Sequence, residues 1–405
     1  MTHSCELWVA VRRWRRVKTG LTAQRSPLSI RCTAPRRHVP IVLAAVAVIC
    51  VCAAPILLAP TGARAASFSW SSPTLVNART SAIPSVSCAT VNLCVAVSGG
   101  EVYTSRAPMD DQWIAATIDP SAPLVEVSCW AGSQCVAIDA DGYVFWTESP
   151  YGGAWVRSRH SIDTAAQITG LSCADEGWCV AVDARGSVLT QSQTSPIGAW
   201  HTTSYVVNGQ PGSYDNLAAV SCTPAACVAA NAHGWLWTNK ATQGGAWTSF
   251  GGVRTGYDIS SVSCLTGGLC VVTGSHETTT DPALDPFGGA SAWSVHWNSD
   301  PATYPQPTAV SCAAATLCVG VNDAPLGAGI AIVSTSPRFP GSFTGPTATD
   351  QAIDAPGSGP LDAISCAAGA GDFAGTQVCA VSDDTGHLIT GTYPGTTTTG
   401  AAAHR

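Results

Sequence analysis

The sequence predicts an all-β fold: a seven-bladed β-propeller with four-stranded blades, its ring closed by an N-terminal strand that completes the last blade. Three observations predict it. A cysteine pair recurs seven times, a turn and a strand-opening aromatic recur between the pairs, and the strands at the two ends of the array are offset. The first cysteines are Cys88, Cys129, Cys173, Cys222, Cys264, Cys312 and Cys366, spaced by 41, 44, 49, 42, 48 and 54 residues. Their partners are Cys94, Cys135, Cys179, Cys227, Cys270, Cys318 and Cys379. A period of this length marks a repeat architecture in which each unit is one blade.

Within a unit, a short apolar strand ends in Val/Leu/Ile-Ser-Cys, and a second strand opens with Cys-Val-Ala-Val or a close variant, as at Cys135-Val136-Ala137-Ile138 and Cys179-Val180-Ala181-Val182. A turn follows, Asp139 to Gly142 or Asp183 to Gly186, then a third strand such as Tyr143 to Thr147. An aromatic marks the fourth strand: Trp70, Trp113, Trp155, Trp200, Trp247, Trp293 and Phe343. Short strands separated by turn signals read as an antiparallel array, and helical periodicity is absent beyond a turn or two. The array begins with a fourth strand and ends, near Leu388-Ile389-Thr390, with a third. The segment Phe68 to Leu75 therefore supplies the missing outer strand of the last blade, which leaves no long edge unpaired. An open solenoid, the alternative, has no reason for this offset.

Each cysteine pair joins the end of one strand to the start of the next, within disulfide reach across a hairpin mouth. Closing a loop of about seven residues stabilises by roughly 2 kcal/mol in the chain-entropy model. Zinc requires pairs converging from two loops, whereas these belong to different blades, and no basic residues surround them to activate a redox thiol. The Asp or Asn four residues after the second cysteine (Asp139, Asp183, Asn231, Asn322, Asp383), with Gly three residues further on in four of the units that carry a turn, is hairpin chemistry rather than a ring of metal ligands. One fourth-strand aromatic per unit fills the space between neighbouring blades.

Function belongs where the repeat is broken. Trp130 and Trp178 lie inside the Cys loops of blades 2 and 3, where they either stack on a sugar or anchor a protein partner, or cover their own disulfides. The insert His276 to Pro286 carries His276, Glu277, Asp281 and Asp285 in a spacing that matches no metal motif and reads as an acidic solvated loop. The stretch Pro337 to Pro360 reads as a flexible Pro/Gly-rich link. Trp235, Trp237 and Trp297 fall on predicted strands.

The chain has 405 residues, 18 cysteines and a formal charge of −7, unevenly divided. Residues 1–65 hold ten of the 19 Lys and Arg and one of the 26 acids, leaving nine cations against 25 acids, a formal −16, in residues 66–405. So acidic a body excludes a nucleic-acid binder. Residues 1–65 combine a basic stretch, an apolar run over 41–60 and Ala63-Arg64-Ala65, the plan of a secretory signal cleaved after Ala65 or retained as a signal anchor. Either way the acidic body is exported, to the outside or to the cell envelope, and touches membrane only if the leader is uncleaved. The domains are thus the leader at 1–65, the propeller at 66–392 and a disordered tail at 393–405.

The unit Ser-Cys-x5-Cys-Val-Ala-Val-Asp-x-x-Gly followed by Gly-Gly-Ala-Trp resembles the secreted Cys-paired propeller repeats common in actinobacteria. More distantly it is similar to BNR/Asp-box (sialidase-like) and Ycf48-like propellers, over residues 68 to about 392. The sialidase likeness implies an arginine cluster, a Tyr/Glu nucleophile pair and an acid. Arg79, Arg106, Arg157, Arg159, Arg185, Arg254, Arg338 and Arg405 show no positional match to that cluster, and only Glu101, Glu126, Glu148, Glu176 and Glu277 are glutamates in the body. With no nucleophile elbow, zincin or phosphate-loop motif, no cofactor or metal is expected. The expectation is an exported, non-catalytic propeller binding a glycan or extracellular protein at the envelope. The alternatives are a glycoside-processing hydrolase or lyase, and an architectural envelope component.

Overall fold

A computed structural model describes residues 67–394, except 78–81, 131–132, 165, 175–177, 192–196, 204–215, 240–245, 251–258, 275–276, 282–283, 298–305, 324–326, 340, 344–347 and 356–357. The leader and residues 395–405 of the tail lie outside the described residues, while Tyr393, placed at the start of the tail, ends a strand. The described strands form seven antiparallel sheets, and no α-helix occurs among them. Six blades, over 85–117, 124–157, 168–203, 217–250, 259–297 and 309–352, each run from innermost to outermost strand in chain order. The seventh contains Leu361–Ala368, Gln377–Asp383 and His387–Tyr393, and its outer strand comes from the other end of the chain. Ser69 and Trp70 pair with Thr392 and Gly391, and Thr74 and Leu75 pair with Leu388 and His387. The predicted closure is therefore observed, in two short pieces.

Closure is secured by side chains as well. Gln351, on the outer strand of blade 6, accepts from the Trp70 indole at 3.1 Å and donates to the Phe68 carbonyl at 3.2 Å. Phe68 stacks on Trp70 with ring centroids 5.1 Å apart and packs beside Tyr393. A β-carbon on Gly391 would meet the Trp70 ring at 2.5 Å, so the closing indole lies where only glycine leaves room.

No single core exists among the described residues. Buried apolar side chains gather into seven clusters, one in each seam between adjacent blades. Every seam receives the expected aromatic from the blade that follows it: Trp113 between blades 7 and 1, Trp155 between 1 and 2, and so on round to Trp70 between 6 and 7. Seven wedges, each too small to stand alone, make the ring interdependent.

The fourteen described cysteines form seven disulfides, each joining residues that face one another across the inner two strands with Cα atoms 3.9–4.1 Å apart. The turn chemistry is repeated with equal regularity. Asp139 Oδ1 accepts the N–H groups of Asp141 and Tyr143, Asp183 those of Arg185 and Ser187, Asn231 those of His233 and Trp235, and Asp383 those of Thr385 and His387, all at 2.7–3.0 Å. The glycines that let these chains reverse have φ of 79–95°.

Two readings need correction. Within the blade 5 insert, Glu277–Thr280 is the third strand, paired with Cys270–Gly274, and Asp281 is fully buried rather than solvated. Three consecutive β-branched threonines fit a pleated surface without an apolar residue to announce it. His276 lies outside the described residues. The blade 6 link likewise contains a strand, Ala348–Ala352, and its marker Phe343 is buried five residues ahead of it.

Candidate functional site

The inner strands surround a channel. Each runs from the face carrying the Asp/Asn turns toward the face carrying the Cys loops, and the edge not paired with the second strand offers backbone groups to the lumen. The sequence satisfies those groups with the serine that precedes each first cysteine. Ser87 Oγ accepts from the N–H of Cys129, Ser128 from Cys173, Ser172 from Cys222, Ser221 from Cys264, Ser263 from Cys312, Ser311 from Cys366, and Ser365 from Cys88, at 2.9–3.0 Å. The last of these crosses from blade 7 to blade 1, so the hydrogen bonds form a closed ring. This is why Ser-Cys recurs in every unit; the dipeptide was visible in the repeat, but its partner lies one blade away.

A cavity of about 290 Å³ occupies the channel, lined by residues of all seven inner strands. The tier three residues before each first cysteine reads Ser85, Glu126, Gly170, Ala219, Ser261, Ala309 and Ala363. Six are small, and the seventh is a carboxyl. Glu126 Oε2 accepts from Ser85 Oγ at 3.1 Å, and the same hydroxyl accepts the N–H of Val127 at 3.2 Å. Enclosure by protein pushes the Glu126 carboxyl up to about 7, with the Ser85 hydrogen bond opposing only in part. Asp362 stands exposed at the channel mouth on the turn-bearing face.

A second carboxyl site lies in the seam between blades 1 and 2. Asp119, at the end of a fourth strand, is the counterpart of Asn77, because each donates its N–H to the turn glycine's carbonyl of its own blade (Gly100 and Gly386). Asn77 reaches into the next blade and donates to Ser98 Oγ at 2.7 Å, whereas Asp119 meets Asp139. Two buried carboxyls that act on each other cannot both ionise freely, so the pair holds one proton. Burial first, then Asp119, raises Asp139 to about 6 against the backbone N–H groups of Tyr143 and Asp141. Asp119 is lowered: burial works against this, but the Ser121 hydroxyl and N–H, the protonated partner and Arg157 outweigh it. The Arg157 guanidinium itself lies 3.4 Å from the Tyr143 ring centroid. An open pocket of about 410 Å³ over residues 99–101, 117 and 119–123 is lined in part by Asp119.

Trp130 and Trp178 do not come together. Each is buried, at 6% and 7% exposure, and packs into the seam with the following blade, Trp130 beside Cys173 and Cys179, Trp178 beside Cys227 and Trp237. Trp237 is buried, while Trp235 is exposed just after a turn, ahead of the third strand of blade 4. Among the described residues no group of three or more His, Cys, Asp or Glu is placed to hold a metal, and no helix is long and apolar enough to cross a membrane. Sequence reasoning passed over Glu126 and Asp119, although Glu126 was legible as the one charge at a position otherwise occupied by small residues.

No protein-family profile and no curated protein matches the sequence. Solved structures do match the fold. Ycf48 from Cyanidioschyzon merolae is 13% identical with a TM-score of 0.57, covering 79% of this chain and 98% of that one. Virginiamycin B lyase from Staphylococcus aureus is 9% identical with a TM-score of 0.60, covering 80% and 99%. A structure of Ycf48 bound to a D1 peptide is 13% identical with a TM-score of 0.55, covering 80% and 96%. At these identities the likeness is one of fold: this chain is a β-propeller of the same architecture. Its seven disulfides fit an extracytoplasmic environment.

Proposed function

We propose that the chain is an exported, non-catalytic propeller that binds a protein segment at the cell envelope through the mouth of its channel. The observation that carries this reading is the closed ring of inter-blade serine hydrogen bonds around a preformed polar cavity. A site that is built before the ligand arrives avoids the cost of ordering it. Ycf48 with its bound peptide supports protein over glycan, as does the burial of Trp130 and Trp178, which offers no open ring on which a sugar could stack. Export rests on the leader and the disulfides, and kinship with secreted Cys-paired propellers rests on the repeat unit.

The alternative is a glycoside-processing enzyme, and Asp119 with Asp139 is the buried carboxyl pair it would have to use. The geometry argues against it. Glycoside hydrolysis places substrate between its two carboxyls, whereas Asp119 and Asp139 are both buried and act on each other inside a seam. The test is binding of the oxidised full-length protein to envelope fractions before and after protease and glycosidase treatment, alongside a glycan array. Saturable binding abolished by protease alone is expected. Binding that survives protease but not glycosidase, or turnover of a glycoside, overturns the proposal.

A further inference from the structure

Resting on the protein-binding reading, we infer that Glu126 makes the central channel a receptor for one cationic side chain, a lysine or arginine inserted by the partner from the turn-bearing face. The argument begins with the repeat. Six of seven blades place Ser, Gly or Ala at the Glu126 position, so neither ring closure nor seam packing asks for a carboxyl there. Glu126 is nevertheless set inside the cavity, with Ser85 as its hydrogen-bond partner and no ion pair among the described residues. Glu126 is half-buried in the open channel; a carboxyl so placed without a cation is costlier to ionise than one in water, and a cation arriving from outside offsets that cost.

The size and chemistry of the lumen select the guest. At about 290 Å³ the cavity falls at the lower end of the ~300–1,000 Å³ usual for small-molecule sites, room for one long side chain and not for an oligosaccharide. Ca²⁺ takes six to eight oxygen ligands, commonly from several carboxylates, and Zn²⁺ takes imidazole or thiolate; Glu126 amid serine hydroxyls, with only the exposed Asp362 at the mouth besides, matches neither. It does match an ammonium or guanidinium head, which brings only donors to a carboxylate and hydroxyl oxygens. Exposed Asp362 at the mouth and the formal −16 of residues 66–405 favour the approach of a cation.

The test uses the oxidised full-length protein and, as probe, a capped pentapeptide carrying one central lysine, with its acetyl-lysine counterpart as control, followed by calorimetry from pH 5 to pH 8. Because the guest binds the carboxylate, its apparent affinity is expected to fall about tenfold for each pH unit below about 7 and to level off above it. Glu126→Gln should weaken binding at pH 8 at least tenfold and abolish the pH dependence, and acetyl-lysine should bind no better than that variant. Thermal unfolding of E126Q checks that the fold is intact. Equal affinity of wild type and E126Q, or pH-independent binding, overturns the inference. If E126Q still captures envelope protein as wild type does, the channel site falls while the protein-binding reading stands. If the lysine peptide binds through Glu126 but no envelope protein is captured, the reverse holds.

Discussion

At the scale of single residues, the structure turns two carboxyls into a statement about pH. Asp139 is raised to about 6 and Glu126 to about 7, so the folded protein holds protons that the unfolded chain releases. Groups raised in this way give stability that is complete below their ordinary values and lost as pH climbs through the raised ones. Asp119, lowered in the fold, acts in the opposite sense and only below its ordinary range. Stability against urea is therefore expected to be greatest near pH 4 and to fall toward pH 7, Asp139 alone accounting for on the order of 3 kcal/mol over that span. Asp139→Asn should flatten its share of that decline without loosening the turn, because Asn231 makes the same two backbone hydrogen bonds in blade 4. A variant whose unfolding midpoint declines from pH 4 to pH 8 as steeply as wild type would count against the shared proton. The serine ring makes a separate prediction: Ser172→Ala, which leaves the N–H of Cys222 to the channel, should cost about 1 kcal/mol in the same assay. The Asp-x-x-Gly turns were legible because side chain and acceptor lie within one hairpin. Ser87 and Asp119 were not, because their partners lie in the next blade, some 40 and 20 residues along the chain.

At the scale of elements, regularity decided what could be read. Strand pairs bracketed by cysteines were unambiguous, since the pairing of Cys88 with Cys94, or of Cys366 with Cys379, fixes the register of the two strands around it. The third strand of blade 5 was read as part of a solvated insert because Glu277–Thr280 has no apolar alternation, and the outer strand of blade 6, expected from its marker Phe343, stands several residues beyond it inside the stretch read as a link. The disulfides should differ in worth according to the loops they close. Replacing Cys173 and Cys179 together by alanine is expected to cost about 2 kcal/mol, and replacing Cys366 and Cys379, which stand 13 residues apart, about 3 kcal/mol. Chemical denaturation of the two double variants against the oxidised parent checks the order; a larger loss from the shorter loop would contradict it.

At the scale of the whole molecule, the ring is held shut where its two ends meet. Phe68 is buried between blades 6 and 7, and the strand it leads into is paired over only four residues. Phe68→Ala should therefore cost about 3–5 kcal/mol and make blade 7 the first site of limited proteolysis, with the other seams protected. Cleavage beginning elsewhere would show that closure is not the weakest joint. That the segment 68–75 belongs to the last blade was legible from strand order alone. What the ring is for was not, because the channel exists only once seven inner strands are brought together, and Glu126 acquires its environment from all of them. The most direct measurement is the titration of the Glu126 carboxyl in the oxidised protein by carbon NMR, assigned by its loss in Glu126→Gln. An apparent pKa near 7 is predicted. A value near 4.5, the ordinary one for a glutamate, would show that the carboxyl is solvated and that the channel does not enclose the site assigned to it.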